Sequence, residues 1–200
     1  IVNVYGFLLQ SHAMPGNSDL NRAFPGSREG PLVSRVAHLF ASEVARHCKY
    51  CIDLHTAPRN RTHLPTISGD LDDPETRKCA IVFGASVFMQ HGNDTGSLRH
   101  SAARNGIHAI VYEAGEAQRF GRRSIDVGAN GVLRVMTMLK MISGVRLKKR
   151  RVPTQEVESS RWLRADDSGI LHLDVELGVL VSKNQEIGFI SDAMGADRTP

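Results

Sequence analysis

Two short apolar runs constrain the fold of this chain more than any other feature. Residues 50–54 (Tyr50, Cys51, Ile52 and Leu54 around Asp53) and residues 107–112 (Ile107 to Tyr112) have the composition of buried strands. Each stops in polar residues, the first in Asp53-Leu54-His55-Thr56 ahead of Pro58, the second in Glu113-Ala114-Gly115-Glu116. Helical periodicity surrounds them. Over 30–50, Pro31 fits a first turn, and Leu32, Val36, Leu39, Phe40, Val44 and Ala45 recur at helical spacing. Residues 97–105 predict a short helix ended by Gly106, and 124–142 a long amphipathic helix with Gly144 as its stop. Short buried strands alternating with helices predict an α/β domain, its largely parallel or mixed sheet flanked by helices. In such folds chemistry collects where strands end at their carboxyl edge, which is where His55 and Glu113 fall. A histidine there, with an acid two residues earlier, can ligate a metal while the acid holds its ring. An isolated Asp-x-His is more often a satisfied loop histidine, so its surroundings decide.

Residues 1–9 read as another buried strand. Residues 10–28 are rich in Ser, Asn, Gly and Pro and predict a long loop, a feature that is uncommon in a compact domain and often functional. Within it, Asn21 and Arg22 are adjacent polar groups of the kind that grip a carboxylate, since Arg presents a planar fork of donors. Residues 59–76 predict a second long polar loop, and 77–88 are a helix or a strand that periodicity does not distinguish. After the basic run Arg146-Leu147-Lys148-Lys149-Arg150-Arg151 the texture changes to short strands punctuated by Gly169, Gly178 and Gly188. The expected organisation is an α/β catalytic domain over 1–147, incomplete at its N-terminus, a basic linker over 148–158, and an incomplete small all-β module over 159–200.

Composition narrows the classes of partner. The chain is 41% hydrophobic and 23% charged with a net charge of +4, ordinary for a soluble globular protein. Its basic run has no interleaved aromatics, which argues against a nucleic-acid reader. No apolar run of about 18 residues exists, so no transmembrane helix is expected. Three cysteines do not make a disulfide framework, and the cytoplasm is the expected location. Cys48 and Cys51 have redox or zinc spacing but no second pair, and they read as packing residues. The start at Ile1 inside an apolar run and the abrupt stop at Asp197-Arg198-Thr199-Pro200 suggest a fragment of a longer chain.

Asp19-Leu20-Asn21-Arg22-x-Phe24-Pro25-Gly26, Asp53-Leu54-His55-Thr56 and Tyr112-Glu113-Ala114-Gly115-Glu116, in that order, resemble the succinylglutamate desuccinylase/aspartoacylase family of the zinc carboxypeptidase clan. The glycine-patterned tail from Trp162 is similar to the β module that many members carry after the catalytic domain. The resemblance implies a zinc-dependent amidohydrolase acting on an N-acyl amino acid or a similar small amide. It implies His55 as the third zinc ligand and Asn21 with Arg22 as the pair binding the substrate carboxylate. Glu113 would be the general base acting on zinc-bound water, with Glu116 as the rival acid. The other two zinc ligands, a His-x-x-Glu motif, would lie upstream of Ile1, so the fragment alone would be inactive. Where many members have an Arg that polarises the scissile carbonyl, this chain has His12, unless Arg61 or Arg99 substitutes. The alternative reading is a non-catalytic protein on the same fold that binds a small carboxylate through Asn21 and Arg22. The tail could instead be an acyl-carrier module, which needs Lys183 at a hairpin tip; Lys183 reads as a turn residue. A small-molecule partner is expected, with neither nucleic acid nor membrane, and a homo-oligomer is compatible with the residues.

Overall fold

Strands β1 (Tyr50–Ala57) and β4 (His108–Glu116) lie side by side and parallel, so the two apolar runs form one structure. The computed structural model describes residues 1–91, 94–144, 154–195 and 198–199. Strand β2 (His63–Gly69) runs antiparallel to β4, β3 (Val87–Gln90) parallel to β2, and β5 (Gln155–Val157) parallel to β3. The mixed sheet therefore has the order β1-β4-β2-β3-β5.

Helices α1 (Val4–Leu9), α2 (Leu32–Glu43), α3 (Pro74–Phe83), α4 (Leu98–Arg104) and α5 (Arg122–Met138) accompany it. Local chemistry sets their ends. Asp73 caps α3 by accepting the Thr76 N–H, Pro74 fits the first position, and Gly84 stops it at φ +76°. Ser97 caps α4 by accepting the His100 N–H at 3.0 Å.

Alternation along the strands sorts side chains into two layers. Ile67, Ile110, Tyr112 and Ala114 pack with Phe83 of α3 and Val135 of α5, and Tyr50 and Ile52 join that face. Ala109 and Cys51 face the other way and pack against Ala102 of α4 and against Ile107. A third cluster, Met14, Leu20, Phe24 and Ala37, anchors the long loop 10–28 onto α2.

The α3–α5 contact is close enough to require glycine. A Cβ on Gly131 would sit 2.3 Å from the Phe83 ring, and Phe83 is fully buried. Gly131→Ala gains about 1 kcal/mol of helix propensity and loses about 1–3 kcal/mol to overpacking. A net loss of stability is expected, read as a lower urea midpoint; a midpoint at or above wild type would mean the contact yields.

Several expectations need correction. Residues 1–9 are not a buried strand: Val4–Leu9 is a helix whose only buried residue is Gly6. The Asn3 side chain accepts the Gly6 N–H, and Gln10 closes the other end with φ +51°, so the backbone bonds locally instead of joining a sheet. Residues 59–76 are not a continuous loop, because β2 lies inside them at the centre of the sheet. Pro65 masked that strand; it is tolerated because the register shifts between His63 and Thr66. Residues 77–88 hold both alternatives, the end of α3 and the start of β3, divided by Gly84. Helix α5 ends at Met138, short of 142. The basic run lies outside the described residues, and the expected linker ends as β5, with Glu156 ion-paired to Arg77.

The chain divides into two compact units, Ile1–Glu158 and Ser159–Pro200. The second holds an antiparallel sheet of β6 (Ile170–Leu173), β7 (Gly188–Ser191) and β8 (Arg198–Thr199). Lys183 sits in a turn, where the Ser182 carbonyl accepts the Gln185 N–H at 3.1 Å. No helix among the described residues is long and apolar enough to cross a membrane.

Candidate active site

Asp53 and His55 alternate with Ile52 and Leu54 along β1, which places them on the Cys51 face of the sheet, the side that carries α4. Asp53 Oδ2 lies 2.9 Å from His55 Nε2. That bond holds the His55 pKa above its ordinary value, outweighing burial, with Asp53, Glu113 and Asp19 charges adding to it. The imidazole side chain remains 31% exposed, so it can be reached from solvent. With Nε2 engaged by Asp53, Nδ1 is the nitrogen left with a lone pair to offer.

Glu113 is the direct register partner of His55 on β4 and shares its face, since Ile110, Tyr112 and Ala114 point to the opposite core. Neighbouring strands lie about 4.8 Å apart, so the two side chains emerge side by side. His63 Nδ1 of β2 lies 3.2 Å from Glu113 Oε1. Glu116 is engaged differently, accepting the Asn60 N–H at 2.9 Å and lying 3.5 Å from Arg119 Nε.

The long loop enters the same neighbourhood through a 3₁₀ turn, Leu20–Arg22. Asp19 caps it by accepting the Asn21 N–H at 2.8 Å. Asn21 Oδ1 accepts the Leu98 N–H at 2.9 Å, one of the open donors at the start of α4. The Gly96 carbonyl accepts the Phe24 N–H at 2.8 Å, and a Cβ on Gly96 would lie 2.6 Å from the Arg22 carbonyl oxygen. Gly96 also has φ +88°, so both backbone shape and close approach favour glycine there.

Arg22 lies 3.9 Å from Asp19 and 3.8 Å from Asp94, with its side chain 59% exposed. Asp94 continues to His91 Nε2 at 2.8 Å, and His91 Nδ1 to Ser68 Oγ on β2 at 3.0 Å. The His91 bond is the main cause that holds the Asp94 carboxyl below its ordinary pKa. Arg22 thus stands at the end of a polar chain rooted in the sheet.

The expected residues therefore fall into two groups. His55 and Glu113 are register partners, and Asp19, which contacts both Asn21 and Arg22, adds its charge to the field at His55. His12, expected in place of the family Arg, lies 4.0 Å from Asp19 with an 80% exposed side chain. Arg61 is exposed in the β1–β2 connection, whereas Arg99 is buried in α4 near the charges of Asp94 and Asp70. Sequence reasoning missed His63, Ser68, His91 and Asp94. The alternation of Ile67 with Thr66 and Ser68 carried a strand signal, hidden by Pro65. A groove of about 210 Å³ between α2 and α4, bordered by His38, Ala41, Leu98 and Ala102, contains none of the expected residues.

Among the described residues no three His, Cys, Asp or Glu side chains form a group that could hold a metal ion. The His55–Asp53 pair fits one metal ligand with its orienting carboxylate, and fits it in donor type and geometry.

A mixed sheet flanked by helices, with Glu113 and His55 as register partners on neighbouring strands, defines an α/β protein. Residues 1–139 match the succinylglutamate desuccinylase/aspartoacylase catalytic domain, and the chain belongs to that family. It is 25% identical over 187 residues to N-alpha-acetyl-L-2,4-diaminobutyric acid deacetylase of Halomonas elongata, covering 87% of this chain and 54% of that protein. It is 27% identical over 124 residues to succinylglutamate desuccinylase of Pseudoalteromonas atlantica, covering 59% of this chain and 35% of that one. The crystal structure of a succinylglutamate desuccinylase/aspartoacylase from Rhodobacter sphaeroides shares the fold with a TM-score of 0.85 at 24% identity, over 100% of this chain and 63% of that one. The chain thus spans about half the length of the first of these relatives.

Proposed function

We propose that this chain supplies the base and the carboxylate-binding side of a zinc-dependent hydrolase. The bond cleaved is the amide of an N-acyl amino acid or a similar small amide. The observation that carries the reading is the register pairing of His55 with Glu113, with Asp53 on the far nitrogen of His55. Relatives named as a deacetylase and a desuccinylase support the reaction class.

His55 would be one zinc ligand, with two more supplied from residues outside this sequence. Zinc, when bound, acts as a Lewis acid and lowers the pKa of a coordinated water to about 7. Asp53 keeps the proton on Nε2 and fixes the ring plane. Glu113 takes the proton from the attacking water as the new C–O bond forms. It then delivers that proton to the amide nitrogen as the C–N bond breaks, so the products are a carboxylic acid and an amine. Arg22 pairs with the substrate carboxylate, and Asn21, whose carbonyl oxygen already serves Leu98, offers its side-chain NH₂.

The test is metal analysis of the full-length protein together with hydrolysis of a panel of N-acetyl and N-succinyl amino acids. Stoichiometric zinc and release of free amine are expected. Carboxylate binding with substoichiometric zinc and no hydrolysis would favour the binding-protein alternative. In the same assay Arg22→Ala should raise KM by about 10- to 100-fold, the worth of a charge-assisted hydrogen bond of roughly 1.5–3 kcal/mol. The thermal midpoint should hardly move, because the Arg22 ion pairs are largely exposed. An unchanged KM would remove Arg22 from the site.

A further inference from the structure

We propose that His63 is a positioning residue for Glu113: its imidazole Nδ1, 3.2 Å from Oε1, holds that oxygen and leaves Oε2 as the oxygen that moves the proton. The inference rests on the reading of Glu113 as the base.

The backbone is built to bring His63 there. Between His63 and Thr66 three steps along β2 are matched by two along β4, from Gly115 to Glu113. One extra residue therefore sits in β2. A regular ladder would place Leu64 opposite Gly115, with an aliphatic side chain over the site. The irregularity puts His63 in that position instead, and β-bulges next to sites re-aim side chains in this way. Pro65 occupies the irregular stretch, where its missing N–H breaks no ladder bond, and the Leu64 carbonyl is satisfied by the Thr66 hydroxyl at 2.8 Å. The 3.2 Å contact to Glu113 is the result.

The nature of the partner also matters. Glu116, three residues on, is held by a guanidinium and a backbone N–H, which suits a structural carboxylate. Glu113 is met by an imidazole, a donor that orients the carboxylate without requiring a permanent positive charge beside it. A Glu side chain has three rotatable bonds, and a base displaced by about 1 Å can lose roughly 10²-fold in rate.

Activity of the full-length protein provides the first test. His63→Leu should lower kcat by about 10- to 100-fold with KM nearly unchanged. His63→Asn, whose amide nitrogen sits near the place of Nδ1, should recover most of that loss. Combining His63→Leu with Glu113→Gln should be no worse than Glu113→Gln alone, because the two act as one unit. Full kcat in His63→Leu beside a dead Glu113→Gln overturns the role of His63 and leaves the base in place. Equal losses in His63→Leu and His63→Asn, or multiplying losses in the double variant, overturn it too. Full turnover in Glu113→Gln sinks the reading of the base, and this inference with it. A second readout needs neither metal nor turnover. The ¹⁵N spectrum of neutral His63 should show the Nδ1–H tautomer in the wild-type protein and revert to Nε2–H in Glu113→Ala. An Nε2–H tautomer in both proteins would refute the contact.

Discussion

Glu113→Gln in the full-length protein is expected to lower turnover by about two to four orders of magnitude, the usual worth of a general base. The substitution keeps the shape of the side chain and its place opposite His55, and removes only the ability to accept a proton. Zinc content should be unchanged, because the amide replaces no ligand in this reading. Glu116→Gln serves as the matched control. Its carboxylate is already engaged by the Asn60 N–H and by Arg119, so the variant should lose far less rate. The measurement is kcat for both variants alongside metal analysis. A dead Glu116→Gln beside an active Glu113→Gln would move the base three residues down β4.

Asp53→Asn should weaken zinc binding by about 10- to 100-fold, the range found when the outer partner of a metal-bound histidine is changed. Asp53 Oδ2 accepts from His55 Nε2 at 2.9 Å, and its negative charge raises the basicity of the ring. Asn can still accept one hydrogen bond, but without charge, so the ring stays oriented while Nδ1 becomes a poorer donor to the metal. Chelator competition reads the affinity directly. The kcat at saturating zinc should fall much less than the affinity does. Equal zinc affinities in wild type and Asp53→Asn would leave the Asp53–His55 pair as a structural contact only.

Much of the site could be read from the sequence because its parts are local. Strand β1 and the first half of β4 were visible as apolar runs, but the polar residues expected to form turns after them continue the strands to Ala57 and Glu116, so His55 and Glu113 stand within the strands near their carboxyl ends. The cap of α4 is likewise short-range, with Ser97 meeting His100 within one turn, whereas the start of α3 at Pro74 falls inside the stretch expected to be a loop. The run Asp19-Leu20-Asn21-Arg22 carries its own turn, closed by the Asp19 side chain on the Asn21 N–H.

Tertiary structure alone decided what depends on distant segments. That His55 stands beside Glu113 follows from the parallel pairing of β1 and β4, which joins residues 58 apart in the chain and leaves no periodic trace. Strand β2 escaped detection because Pro65 and several polar residues resemble a loop until β4 and β3 flank them with hydrogen-bonding partners. The helix at Val4–Leu9 went unrecognised for the opposite reason: apolar composition suggests burial, but the Asn3 cap closes the backbone bonds locally. The His63–Glu113 contact was furthest from view. It depends on one extra residue in a ladder, and a register shift exists only between two strands, never within either of them.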